Sequence, residues 1–179
     1  MKIKILKETT YSGAIIYDCN EKTILMSYFN RDKPKFSTYL PSILFLYQTD
    51  LYLNLNRRIK EKLDCYIVNS SGQLHPYLFG AACDFGLRIN TPVIGYTKKL
   101  LYGNIKINGE PQNFHGISSN DHLIGYAIPR PNSKKYFYIS IGNNLSLQKA
   151  LNIFLKLDLT LISKLNTMLN DYIKKDIAN

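Results

Sequence analysis

The stretch that most constrains the fold is residues 63–99, LDCYIVNSSGQLHPYLFGAACDFGLRINTPVIGYTKK. Residues 65–68 are a short run of β-favouring apolar residues between polar turn residues, the pattern of a central strand covered on both faces. Asn69 follows at the carboxyl end of that strand, where open α/β sheets place their chemistry. Pro76 suits a first helical position, because its missing N–H would have no helical partner there; the sequence therefore predicts a helix opening at His75. Leu78, Phe79, Ala82, Phe85, Leu87 and Ile89 form its apolar stripe, and Gly80, Ala81 and Gly86 let a backbone pack close. Asn90-Thr91-Pro92 stops it. Residues 93–96 read as the next strand, and Thr97-Lys98-Lys99 at its exit brings cations to the sheet edge that carries Asn69 and His75. That edge is the candidate site.

The flanking chain supplies the remaining elements. Residues 1–6 alternate Lys2 and Lys4 against Ile3 and Ile5, a half-buried strand pattern. Residues 12–18 and 23–29 read as two strands joined by a turn, the antiparallel side of a sheet. Arg31-Asp32-Lys33-Pro34-Lys35 is a charged, proline-broken loop. Thr49 or Asp50 is expected to cap a helix running to about Leu63, with Leu51, Leu55, Ile59 and Leu63 on one face and Arg57, Arg58, Lys60 and Lys62 elsewhere. Residues 105–107 before Asn108-Gly109 signal a hairpin with a primed turn. His115 falls in a polar loop and His122 at a strand start, neither with the acid or cysteine spacing of a metal ligand. Residues 122–128 and 136–141 read as strands, Ser146 caps a helix to Lys156, and residues 160–175 form a last helix with Leu161, Leu165, Met168, Leu169 and Tyr172 on one side.

With 179 residues and 45% hydrophobic content, the chain is large enough to bury one α/β core. The expected organisation is one domain over residues 1–157, with residues 158–179 a helix packed on it. Cys19, Cys65 and Cys83 show no paired spacing, which fits free thiols in a reducing compartment. The amino terminus has no signal-peptide pattern and no stretch approaches the ~20 apolar residues of a membrane span, so a cytoplasmic protein without a membrane partner is expected. The net charge of +10 favours a polyanionic partner, because cationic contacts to phosphates release condensed counterions; a lysine-rich genome composition is the competing cause.

Residues 69–86, NSSGQLHPYLFGAACDFG, and 92–103, PVIGYTKKLLYG, resemble the endonuclease V family, whose corresponding blocks read roughly DGxGxxHPxxFGxAxHxG and PTIGxAKKxLxG. Gly72, His75, Pro76, Phe79, Gly80, Ala82, Gly86, Pro92, Ile94, Gly95, Lys98, Lys99, Leu101 and Gly103 match at the same spacing. The family's PYIPGxLxFRE wedge is similar to residues 38–48, and its PGHxxSLxxAL segment to residues 141–151. The resemblance implies a ribonuclease H-like mixed α/β sheet with flanking helices, and an ancestry in nicking nucleic acid near deoxyinosine or inosine. It further implies nucleic-acid contacts from the wedge residues Tyr39, Leu40 and Pro41, from Gly72, Lys98 and Lys99, and from the far pocket wall Leu101, Tyr102 and Gly103.

The departures fall on the chemistry. The family holds Mg²⁺ or Mn²⁺ with carboxylates from the first strand, the wedge end and the DGxG turn, and hard cations need such anionic oxygens. Here the matching positions are Lys4, Gln48 and Asn69, so no metal or other cofactor is expected. Two like unit charges ~4 Å apart repel by about 4 kcal/mol at an effective dielectric of about 20, so a lysine ammonium opposes a cation beside it. Asn143 stands where the family has a functional histidine. Ser42 and Ser70 replace glycines that let the family backbone approach an everted base, which opposes a tight hypoxanthine pocket. His75 and Lys98 are the catalytic positions that survive, the first placed to hydrogen-bond a phosphate and the second to neutralise charge.

Three functions stay open on the sequence. The first is a catalytically impaired or silent homologue that binds DNA or RNA, whether inosine-containing, mismatched or single-stranded. The second is an active endonuclease with unorthodox metal ligands. The third is a scaffold subunit, for instance a homodimer, that uses the fold without nucleic acid.

Overall fold

The computed structural model describes residues 1–6, 9–33, 44–106, 114–131 and 133–178. The chain divides into two compact units, residues 1–62 with 157–179 and residues 63–156.

The first unit is a three-stranded antiparallel sheet with two helices. Strands β1 (Lys2–Leu6), β2 (Thr9–Asp18) and β3 (Thr23–Asp32) run in spatial order 1-2-3. Helices α1 (Leu44–Asn56) and α4 (Thr160–Ala178) pack on β2. Tyr11, Leu169 and Ile173 form a buried cluster with Phe29 and Tyr172 packed against it. Phe29 and Tyr172 stack with centroids 5.2 Å apart. Gly13 makes this contact possible, since a Cβ there would lie 3.1 Å from the Phe29 ring and 3.3 Å from Leu165.

Two expectations for this unit change. The helix expected from Thr49 or Asp50 to Leu63 is α1, which is already under way at residue 44 and ends at Asn56. Thr49 is fully buried inside it rather than capping it. Leu51 and Leu55 are buried as expected, but Ile59 and Leu63 lie beyond the helix. Its end is made by turns, Arg57 N–H donating to Leu53 O and Arg58 N–H to Leu55 O. In β1 the lysines are half-buried, like Ile3, and bond to the next layer. Lys2 Nζ donates to Asn166 Oδ1 at 2.7 Å and Lys4 Nζ donates to Asn170 Oδ1, while Ile5 and Leu6 are exposed.

The second unit is a six-stranded mixed sheet in the order β4-β5-β9-β8-β7-β6. Its strands are β4 (Tyr66–Val68), β5 (Val93–Thr97), β6 (Asn104–Lys106), β7 (His115–Ser119), β8 (His122–Pro129) and β9 (Tyr136–Asn143). Only β4 and β5 are parallel, with Val68 opposite Gly95; the other described pairs are antiparallel. Helices α2 (Ala81–Ile89) and α3 (Leu147–Lys156) pack on β9. The α3 start is the expected one, with Lys149 N–H donating to Ser146 Oγ.

His115 opens β7 rather than lying in a loop. Short, small residues such as Gly116, Ser118 and Ser119 hid that strand, which is ordered by pairing on both sides. Lys106 pairs with Gly116; the Asn108-Gly109 turn lies outside the described residues. Cys19 is exposed, Cys65 half-buried and Cys83 buried, all three unbridged. Among the described residues no helix is long and apolar enough to cross a membrane.

Candidate functional site

The turn between β4 and α2 departs most from its expected shape. The helix starts at Ala81, not His75, and Gly80 is its extended N-cap with φ −109° and ψ −174°. Residues 75–79 form a tight turn instead. Leu78 N–H donates to His75 O at 2.7 Å, and Leu78 takes φ 50°, which no α-helix accommodates. Tertiary packing overrides the helical signal of Pro76. Gly80 N–H donates to Gly72 O at 3.0 Å, and both glycines sit backbone against backbone. A Cβ on Gly72 would lie 2.0 Å from Ile141 O, and one on Gly80 would lie 2.3 Å from Ser71 O. The apolar stripe shortens accordingly: Ala82 and Phe85 are buried, whereas Leu78 and Leu87 are exposed.

The same turn is pinned to β9 from below. Ser140 Oγ accepts from Gly72 N–H and Leu74 N–H, both at 3.2 Å, and Gln73 N–H donates to Ile141 O at 3.0 Å. Leu74 closes the attachment by entering a buried cluster with Ile117, Ile124 and Ala127. A loop held at so many points offers a fixed platform for half-buried His75 and for its exposed members Pro76, Tyr77 and Leu78.

On that platform Asn69 follows β4 and donates from Nδ2 to Tyr96 O at 3.4 Å. Lys98 and Lys99 leave the same end of the parallel neighbour β5, both exposed, with Thr97 Oγ1 donating to Lys99 O at 2.7 Å. His75 accepts from Tyr77 N–H at Nδ1, 3.3 Å away, which leaves Nε2 to carry the proton of the neutral ring. Partial burial pushes its pKa below the ordinary 6.5, so the ring is a neutral donor at pH 7. Tyr77 is 72% exposed, its ring 5.6 Å from His75. The sequence reading passed over it because it lay inside an expected helix.

The second unit thus brings Asn69, Gly72, His75, Lys98 and Lys99 to one end of its sheet. Leu101, Tyr102 and Gly103, together with Leu100, Asn104, Ser119 and Asn120, line an open groove of about 490 Å³. Ser119 Oγ donates to the Tyr102 hydroxyl at 2.8 Å, and Gly103 holds φ +91°. Ser70 is buried at 5% exposure, so its hydroxyl is not an open wall of this groove. Asn143 serves a different structure: its Nδ2 donates to Gly86 O at 2.8 Å and to Thr91 O at 3.4 Å, tying the end of β9 to α2 and the turn that follows it.

Lys4 and Gln48 belong to the first unit, in β1 and α1. The Lys4 ammonium is engaged by Asn170 of α4, and Gln48 is half-buried and partnered. Tyr39, Leu40, Pro41 and Ser42 lie outside the described residues. Lys4, Gln48 and Asn69, the positions that the family resemblance singles out, are one ammonium and two amides, and none offers the anionic oxygen a hard divalent cation requires. Among the described residues, no three His, Cys, Asp or Glu side chains come together in a way that could hold a metal ion.

Comparison with known proteins gives this geometry a lineage. A family model, Endonuclease V, matches residues 2–161. A putative endonuclease of Schizosaccharomyces pombe is 27% identical over 166 residues, covering 81% of this chain and 66% of that protein. The chain spans 59–66% of the length of the first curated relatives it matches. The crystal structure of a Bacillus subtilis endonuclease V superposes with a TM-score of 0.84 at 16% identity, covering 97% of this chain and 81% of that one. A Ciona intestinalis endonuclease V, crystallised with a DNA containing an inosine followed by a ribo-adenosine, superposes with a TM-score of 0.79 at 20% identity, covering 96% and 82%. The expected α/β architecture with its mixed sheet is therefore the observed one, and the chain belongs to the endonuclease V family.

Proposed function

We propose that this chain binds nucleic acid through the inherited platform of its family and does not cleave it. The observation that carries this reading is the identity of the residues at the three inherited metal positions. Lys4 is hydrogen-bonded to Asn170, and Gln48 and Asn69 are amides. Hydrolysis of a phosphodiester by a metal-dependent route needs an activated water and neutralisation of the developing charge, and these residues offer no anionic oxygen to a cation that would supply either. What remains is suited to binding. His75 donates from a neutral ring, Lys98 and Lys99 present charge at the strand end, and the groove at Leu101, Tyr102 and Gly103 is open enough for a base or nucleotide. The inosine-containing DNA bound by the Ciona relative makes an inosine-containing strand the first ligand to try.

The test is a binding and cleavage assay on one labelled inosine-containing strand and its guanine analogue. The expected result is binding that weakens steeply with salt, with both strands intact after incubation in Mg²⁺ or Mn²⁺. Absence of binding at low salt refutes the proposal. Cutting that His75→Ala abolishes would establish the active-endonuclease reading in its place.

A further inference from the structure

We infer that the β8–β9 turn extends the nucleic-acid platform into a continuous cationic rim, and that Arg130 is the positioning residue that joins its two halves. The inference rests on the nucleic-acid reading above. Residues 130–135 connect β8 to β9 and carry Arg130, Lys134 and Lys135. Arg130 closes this turn on itself, its backbone N–H donating to Lys135 O at 2.9 Å and its Nε to Tyr136 O at 2.7 Å. The other arm of the same guanidinium reaches out of the turn: Nη2 donates to Lys98 O at 2.7 Å. The plane is steadied by the Phe137 ring, 4.8 Å away. One side chain thus staples the Lys98-Lys99 exit of β5 to the turn that carries Lys134 and Lys135.

The staple thus joins two lysine pairs, and like charges brought together are unfavourable unless something offsets them. In this unit Asp84 is paired with Arg88, and Asp121 with Lys106. Lys98, Lys99, Lys134 and Lys135 are all exposed, and none of the ion pairs between described residues involves them. A rim of exposed lysines joined through one guanidinium suits a phosphodiester chain, whose repeated charges each displace a condensed counterion. The guanidinium itself is spent on three protein carbonyl and ring contacts, so its role is to hold the two lysine pairs in register. Lysine cannot substitute, because an ammonium has no planar fork to bridge two carbonyls.

The experiment measures binding of a fluorescein-labelled single-stranded oligonucleotide across salt from about 50 to about 200 mM, for the wild type, the double variant Lys134→Ala/Lys135→Ala, and Arg130→Lys. Circular dichroism confirms that each variant is folded. Each phosphate contact contributes about 0.7 to the slope of log K against log salt on a single strand, so the double variant should lose roughly 1.4 from its slope. Arg130→Lys keeps the charge and should still weaken binding about fivefold, the worth of one hydrogen bond. An unchanged slope in the double variant overturns the rim while the nucleic-acid reading stands. An Arg130→Lys protein that binds like wild type overturns the positioning role. A wild type that does not bind at the lowest salt overturns both the rim and the reading beneath it.

Discussion

The turn between β4 and α2 and the strand β1 are fixed to their neighbours in opposite ways. In the turn the backbone does it: Gly72 and Gly80 pack backbone on backbone, and Ser140 and Ile141 tie the loop to β9. In β1 the side chains do it. Lys2 and Lys4, two apart on a strand and so about 6.8 Å apart, meet Asn166 and Asn170, four apart on a helix and so about 6 Å apart. The Lys4 ammonium thus joins β1 to α4. A backbone too crowded to admit a side chain resists change, whereas a part-buried pair of side chains tolerates it.

The sharpest challenge to this contrast is Gly72→Ala. Its Cβ would meet a main-chain oxygen at 2.0 Å, and backbone cannot step aside as a flexible side chain does. The expected loss is about 3 kcal/mol or more, read from chemical denaturation; a near-neutral result would show that the turn is not rigid. Asn143→Ala comes next. It strips the 2.8 Å bond to Gly86 O, and a loss of about 1 kcal/mol is expected, without change in nucleic-acid binding if Asn143 is structural.

Smaller again is the coupling of Lys4 to Asn170, measured by a double-mutant cycle with Lys4→Met and Asn170→Ala. The pair is only part-buried, and a coupling of about 0.5 kcal/mol is expected. Zero coupling would return Lys4 to the status of an ordinary surface lysine. The smallest effect belongs to His75. Burial lowers its pKa below the ordinary 6.5, so the unfolded chain binds the proton more readily than the folded one. Its contribution is therefore complete above about pH 6.5 and is lost as the pH falls through the folded pKa. The acid-side decline in stability should be shallower in His75→Gln than in the wild type.

Much of this was legible in the sequence, and the exceptions share a cause. The strands β4, β5, β8 and β9 announced themselves by local composition, and Ser146 by its capping chemistry. The false helix start at His75 arose because Pro76 is a local signal, while the bonds that bend the chain there come from Gly72, far along the loop, and from β9. The late start assigned to α1 arose the same way: Thr49 looks like a cap, but here it is buried at 0% exposure inside the helix. The identities of Lys4, Gln48 and Asn69 were visible as letters. The destination of the Lys4 ammonium was not, since Asn170 lies 166 residues away. Arg130 lies between the strands read at residues 122–128 and 136–141, and nothing in its sequence neighbourhood signals that its guanidinium reaches Lys98 O.

The claim on which the account turns is that the inherited centre no longer holds a divalent cation. Titrating the purified chain into Mn²⁺ and following the free-ion signal by electron paramagnetic resonance tests it directly. The account predicts a free-ion signal matching that of protein-free buffer across the titration. Saturable retention of Mn²⁺ that disappears in Gln48→Ala or Asn69→Ala would contradict it.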